Sequence, residues 1–292
     1  MIPKQRIVIT GANGFIGKRF VEYNKERFDI ITLSVRDNAY KTFDFTGFDS
    51  IVHLVGKAHD MNCKDGSEYF KINVDITKIL ALKAKTDGVK HFIYISSVKV
   101  YGNEDRGLIS EKSECFPEDA YGKSKLQAEQ FLETIHDETF VVAIVRPPMV
   151  YGAGVKGNMD RLIHLCQKKY PLPLGNIGNL RTIVFIDNLI EMLNAIIDYK
   201  AEGIFIPADK KPISTDALIL MIKESLGTKN NLVSIPKGLR KIIKIIKPEL
   251  YKRLFGSFVI DTKATNGKLN FVPPFSTEFG IDKMVKGNLN KV

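Results

Sequence analysis

Tyr121 and Lys125 stand four residues apart in Tyr121-Gly122-Lys123-Ser124-Lys125. On a helix that spacing places both side chains on one face. A phenol, with a reference pKa of about 10, is a poor base at neutral pH. A cation held nearby stabilises the phenolate and lowers that value. Twenty-four residues before Tyr121 comes Ser97, the second serine of Ser96-Ser97. Its hydroxyl could bond the same substrate oxygen as the phenol. Together the three suit proton exchange with a hydroxyl or a carbonyl. Tyr-x-x-x-Lys alone is a common pattern, so its weight comes from the elements around it.

A second chemical feature lies near the start, in Thr10-Gly11-Ala12-Asn13-Gly14-Phe15-Ile16-Gly17. It follows the apolar run Ile7-Val8-Ile9-Thr10 and opens a helical pattern that continues to about Arg27. A turn at the carboxyl end of a first strand aims backbone N–H groups and a helix N-terminus at a pyrophosphate. Gly11 permits the tight turn, Gly14 lets a phosphate approach the backbone, and Gly17 lets the helix pack on the strand. The spacing is G-x-x-G-x-x-G rather than G-x-G-x-x-G. Dinucleotide folds that favour NAD carry an acidic residue about 20 residues further on, at the end of strand two. Here Leu33-Ser34-Val35-Arg36-Asp37 occupies that region. Arg36 could pair with a 2′-phosphate, which favours NADP; if Asp37 faces the ribose instead, NAD remains open.

The elements that must position these residues alternate. Apolar runs at 7–10, 30–33, 51–55, 92–96 and 140–145 read as strands, with helical patterns to about Arg27, over 67–86 and over 119–136. Strands apolar on both faces and separated by helices imply a parallel sheet covered on both sides. Right-handed crossovers make it doubly wound, the Rossmann arrangement. After Tyr151 the chain turns loop-rich, with Gly152, Gly154, Gly157, Pro171, Pro173, Gly175 and Gly178. The expected division is a dinucleotide-binding unit over 1–150 with a returning segment near 181–206. A smaller C-terminal substrate lobe would be built from 151–180 and 207–292.

Composition narrows the classes. The chain has 292 residues, 44% hydrophobic and 26% charged, ordinary values for a folded globular protein. No apolar run reaches the roughly 18 residues needed to span a bilayer. The N-terminal apolar run is too short for a signal-peptide core, so a cytoplasmic location is expected. Cys63, Cys115 and Cys166 form no Cys-x-x-Cys, and the five histidines form no ligand cluster, so no metal site is expected. The net charge of +10 fits nucleic acid, an anionic surface or phosphorylated substrates, and charge alone does not choose. Leu239, Ile242, Ile243 and Ile246 recur at helical spacing among Arg240, Lys241, Lys244 and Lys247. This reads as a helix packed on the lobe with its lysines reaching water, or as a membrane-surface helix; the packed reading is preferred. Pro248 should end or kink it.

With these motifs in place the chain resembles the extended short-chain dehydrogenase/reductases, in their nucleotide-sugar epimerase/dehydratase branch. Further matching segments are Val52-His53-Leu54-Val55-Gly56, Asn73, Arg146-Pro147-Pro148, Val150-Tyr151-Gly152 and Asp187-Asn188-Leu189. The resemblance implies Ser97, Tyr121 and Lys125 as catalytic residues. It implies cofactor contacts from Gly11, Asn13, Gly14, Phe15, Ile16, Gly17, Arg36, Leu54, Val55, Gly56, Asn73, Tyr121, Lys125 and Pro147. Asn158, Arg181 and Arg253, with Ser97, would contact the UDP-sugar substrate, the arginines bonding two phosphate oxygens at once. The cofactor would be NADP or NAD, with NADP slightly favoured. A homodimer is implied, and no nucleic-acid partner or integral membrane association.

Three reactions share this scaffold. The branch's 4,6-dehydratases place an acidic pair directly after the catalytic Ser/Thr; here those positions are Val98 and Lys99. That argues against a dehydratase. Finer resemblance, in Ser96-Ser97-Val98-Lys99-Val100, Gly154-Val155-Lys156-Gly157-Asn158 and Pro171-Leu172-Pro173-Leu174, is to UDP-N-acetylquinovosamine synthases. The expected activity is therefore reduction of a UDP-linked 4-keto-6-deoxy-N-acetylhexosamine for surface polysaccharide. The alternatives are a UDP-glucose or UDP-N-acetylglucosamine 4-epimerase and, more remotely, a non-catalytic binding protein that kept the dinucleotide fold.

Overall fold

The computed structural model describes residues 4–57, 66–102, 107–168 and 170–289. The first half runs β1 (Arg6–Thr10), α1 (Phe15–Asn24), β2 (Asp29–Leu33), β3 (Ser50–His53), α2 (Ser67–Phe70), α3 (Ile76–Thr86), β4 (His91–Ile95), β5 (Leu108–Ile109), α4 (Ala120–Ile135) and β6 (Val141–Val145). The second runs β7 (Met149–Tyr151), α5 (Asn158–Cys166), β8 (Leu172–Gly175), β9 (Ile183–Phe185), α6 (Ile186–Tyr199), β10 (Gly203–Phe205), α7 (Thr215–Ser225), β11 (Leu232–Ser234), α8 (Lys237–Ile246), α9 (Pro248–Phe255), β12 (Val259–Ile260), α10 (Lys263–Leu269) and α11 (Thr277–Leu289).

Six strands form one sheet in the order β10-β6-β4-β3-β1-β2, with every pairing parallel. The strands are apolar on both faces because both faces are covered. Ile7, Ile9, Val52, Ile93 and Val145 point to one side, against Phe20 of α1 and Leu189, Leu193 and Ile197 of α6. Val8, Ile51, Phe92, Tyr94 and Ile144 point to the other, against Leu80 and Ala84 of α3 and Ala128 and Leu132 of α4. The strand period of two thus serves two cores from one set of strands.

Polar contacts fix α6 against α1. Arg19 grips Asp187 with two hydrogen bonds of 2.6 and 2.8 Å. Tyr23 donates to Glu191, and Arg27 to Asp198. The first two partners on each helix are four residues apart, so they share a face.

Between these layers the chain makes an excursion. After β7 it builds a third core from Met159 and Ile163 of α5, Leu174, Ile219 and Ile222 of α7, and Ile281 and Met284 of α11. β9 pairs with β7, and α6 and β10 then bring the chain back to the main sheet. Leu269 and Phe271 also pack into the α1/α6 core, so the segment 207–292 is not confined to the lobe. The buried carboxylate of Asp209 joins the parts. It accepts from Tyr151 Oη at 2.6 Å, Phe185 N at 2.9 Å, Asn188 Nδ2 at 2.8 Å and Thr277 Oγ1 at 3.3 Å.

Two local features depart from the sequence reading. The helix expected over 67–86 is interrupted by a π-turn at Lys71–Asp75, centred on Asn73. Pro248 does end α8 as expected, and it also starts α9, a position where its missing N–H costs nothing. The preferred packed reading of the basic helix is corrected: α8 forms, but Ile242, Ile245 and Ile246 are exposed, because the helix meets the body through Arg240 and half-buried Ile243.

Replacing Asp209 by Ala leaves these four donors facing a void. Urea unfolding should show a loss of about 3–5 kcal/mol relative to the parent, whereas a loss under about 1 kcal/mol would mean that the network is dispensable.

Candidate active site

Ser97 follows β4 at the carboxyl rim of the sheet and caps a short turn over Val98–Tyr101, its Oγ accepting from Lys99 N at 3.2 Å. Tyr121 lies in the first turn of α4, which Asp119 caps by accepting from Gly122 N at 2.7 Å. The two side chains come near one another, close enough for the Ser97 hydroxyl to favour the Tyr121 phenolate. Burial pushes that phenol up to about 12; the Ser97 hydroxyl pulls the other way, and Asp119 and Tyr69 add to the rise.

Lys125 is buried one turn further along. Its Nζ donates to the carbonyl of Ile95 at 2.7 Å and lies 4.7 Å from the centre of the Tyr94 ring. Burial brings the ammonium down to about 7, against the pull of Glu129 on the next turn. The expectation that Lys125 acidifies Tyr121 is corrected for the protein by itself. The lysine spends its charge on the end of β4 and an aromatic face, and desolvation governs the phenol.

Two charged residues behind this pair escaped the sequence reading as site components. Glu129 and Arg146 are both buried, with Arg146 Nε at 3.1 and 3.2 Å from the two carboxylate oxygens and Nη2 at 2.5 Å from one. Arg146 Nη1 donates to Tyr101 Oη at 2.7 Å. The available signal was Tyr121, Lys125 and Glu129 at i, i+4 and i+8: one helical stripe of polar residues where the neighbouring stripe is core.

The glycine-rich turn delivers an uncapped helix end. Gly14 precedes α1 with no side chain capping the first turn. Gly11 has φ +75°, and a Cβ on Gly17 would lie 2.2 Å from Gly11 O, so turn and helix close on one another only without that atom. Asn13 and Gly14 are exposed, and Phe15 and Ile16 half-buried, over that opening. Leu54, Val55 and Gly56 follow β3 beside it. A Cβ on Gly56 would lie 2.8 Å from Lys125 Nζ and 3.2 Å from Asn73 Oδ1, which brings this loop against Lys125. Pro147, buried at the end of β6, accepts from Val98 N at 3.2 Å. Arg36 is exposed past β2, and Asp37 caps the following turn by accepting from Ala39 N at 3.1 Å. An open helix N-terminus, a side-chain-free approach and a lysine at the strand ends fit a dinucleotide.

Asn73 lies under the β3 loop. Its amide oxygen accepts from Lys57 N at 2.8 Å and its nitrogen donates to Ser124 Oγ at 2.9 Å, so it ties the β3 loop to α4. Below it, Thr77 Oγ1 donates to Asn73 O at 2.8 Å and therefore accepts from His53 Nε2 at 3.0 Å. That assigns the His53 tautomer: Nδ1 accepts from Thr10 Oγ1 at 2.6 Å. Burial holds His53 down to about 3, so it is a neutral crosslink between β1, β3 and α3.

A cleft of about 140 Å³ opens beside Ser97, lined by Val98, Lys99, Pro148, Met149, Arg181 and Thr182 among others. Arg181 Nη2 donates to Lys252 O at 2.9 Å, which joins the cleft to α9. Asn158 is exposed at the start of α5 and is not among the cleft's lining residues. Arg253 lies in α9, and its side chain is outside the described residues, as are His59 and Cys63.

A profile of the NAD dependent epimerase/dehydratase family matches residues 7–205. The chain belongs to this family. It is accordingly an NAD(P)-dependent enzyme. Among curated relatives, a UDP-glucose 4-epimerase of Vibrio cholerae is 31% identical over 99% of this chain and 96% of its own. An N-acetyl-alpha-D-glucosaminyl-diphospho-ditrans,octacis-undecaprenol 4-epimerase of Escherichia coli O157:H7 is 26% identical over 79% of this chain and 75% of its own. The fold is that of a UDP-glucuronic acid 4-epimerase from Bacillus cereus solved with NAD, with a TM-score of 0.79, 20% identity and coverage of 98% of this chain and 99% of the other. Chains of this fold have been solved with NAD and with NADPH, which leaves the sequence preference for NADP without support.

The Lys125 pKa carries a stability consequence. The folded value, about 7, lies below the roughly 10.4 of an unfolded lysine. Between the two the unfolded chain holds more protons, so stability rises with pH across that window. Relative to Lys125→Met, the parent should gain on the order of 2–4 kcal/mol between pH 7 and pH 10 in chemical denaturation. Parallel curves for the two proteins would refute the buried, weakened ammonium.

Proposed function

We propose that the protein is a UDP-sugar 4-epimerase serving the synthesis of surface polysaccharide. The observation that carries this is the full-length likeness to the Vibrio cholerae UDP-glucose 4-epimerase, a match that takes in the lobe as well as the sheet. Both curated relatives described above bear the name of 4-epimerases, which moves the reading from the expected 4-keto-sugar reductase to its alternative. Dehydration remains disfavoured: the place of the acidic pair holds buried Val98 and cleft-lining Lys99, and neither removes a carbon-bound proton as a carboxylate would.

In this reading the uncapped start of α1 holds the pyrophosphate of the cofactor, and Lys125 bonds its ribose from the rim of β4. When bound, the nicotinamide supplies a hydride acceptor and donor. Tyr121 takes the proton from the sugar O4 and returns it after the 4-keto group has presented its other face. Ser97 donates to the same oxygen and keeps it within reach of the phenol. At about 12 the phenol needs a positive charge brought near before it acts as a base at neutral pH. Arg181 and Asn158 would hold the diphosphate of the sugar nucleotide, with Arg181 reaching it from the cleft wall.

The purified protein should interconvert UDP-glucose and UDP-galactose with no net consumption of NAD(P). Tyr121→Phe should lower turnover by about 10²–10⁴-fold while cofactor binding is kept. Stoichiometric oxidation of NADPH with a UDP-4-keto sugar, and no interconversion, would return the assignment to a reductase.

A further inference from the structure

Helix α8 leaves three of its isoleucines in the open. Arg240 Nη2 donates to Asn176 O at 2.7 Å, and its guanidinium lies 5.1 Å from the ring centre of Phe255. Lys244 Nζ is 5.7 Å from the ring centre of Tyr251. Arg240 and half-buried Ile243 thus turn toward the body, while Lys241, Lys244 and Lys247 stay exposed. Ile242, Ile245 and Ile246, at i, i+3 and i+4, form a single stripe that is 51%, 80% and 69% exposed. A surface helix ordinarily turns such a stripe to the core. An exposed apolar stripe rimmed by charge marks an interaction surface.

Charge chooses the partner. Residues 237–253 hold seven lysines and arginines and one acidic residue, Glu249, within a chain of net charge +10. A second copy docking on this stripe about a twofold axis would bring the same cationic segment against itself. An anionic bilayer satisfies both features at once. The isoleucines enter the boundary of the acyl chains while Lys241 and Lys247, exposed at the flank and end of the helix, meet the headgroups. Among the described residues no helix is long and apolar enough to cross a membrane, so this contact is peripheral.

We infer that α8 is a docking helix for an anionic lipid surface. After the single non-helical residue Lys247 the chain enters α9, whose Lys252 carbonyl accepts from the cleft residue Arg181. Docking therefore holds the substrate cleft close to the bilayer. The inference stands apart from the choice of reaction.

Sedimentation of the full chain with phosphatidylglycerol–phosphatidylcholine vesicles tests it against pure phosphatidylcholine vesicles. Binding should need the anionic lipid and weaken with salt. The double variant Ile245→Asp/Ile246→Asp should lose about tenfold or more in partitioning while its circular dichroism and its turnover of soluble UDP-glucose stay those of the parent. Lys241→Glu should weaken binding by a smaller factor. No binding to anionic vesicles, or equal binding by the isoleucine variant, overturns the inference. So does light scattering that finds a dimer of the parent and a monomer of the variant, because the stripe would then be a self-contact. A parent without turnover on UDP-sugars would count against the proposed reaction and leave the vesicle result intact.

Discussion

A buried ammonium at the rim of a parallel sheet organises this molecule. Lys125 has lost its water, and the protein replaces that water with the Ile95 carbonyl, the face of Tyr94 and the more distant charge of Glu129. Two of these replacements belong to β4 and the third to α4 itself, so one charge ties the end of β4 to the first turns of α4. The β3 loop must come close as well, and Gly56 is the residue that lets it. A compact ammonium suits this place better than a guanidinium, which would demand several acceptors in one plane.

The same desolvation acts on the two titrating groups in opposite senses. It raises Tyr121 and lowers Lys125, which leaves the proton on the phenol and a weakly held one on the amine. The isolated protein thus rests in a nearly neutral state at the point where charge will be needed. Glu129 acts on the lysine of this pair. Its bidentate partner Arg146 fixes it, so the carboxylate shapes the field at Lys125 from a constant position.

Regular periodicity and short motifs were legible in the chain; backbone acceptors and outward-facing surfaces were not. The alternation of Ile7, Val8 and Ile9 announces a sheet covered on both faces, and the structure has it. The meeting of Ser97 with Tyr121 follows from a strand end and a helix start that crossover topology brings together. The destination of Lys125 could not be read, because its partner is a main-chain oxygen that no side-chain pattern encodes. Asn73 was recognised by kinship but not for its work, since its hydrogen bonds depend on a π-turn that the helical period hides. Helix α8 defeated the usual rule that apolar stripes face inward, a rule that assumes the protein is its own only partner.

The paired grip of α1 and α6 has a temporal meaning. Arg19 waits 168 positions for Asp187. As the polypeptide emerges from the ribosome, the glycine turn is made early, yet the layer that braces it arrives only after the lobe's first elements have been synthesised. A nascent chain cut short at β9 would own the glycine-rich turn without the wall behind it. That wall is complete once α6 ends at Tyr199, while much of the lobe is still to be made.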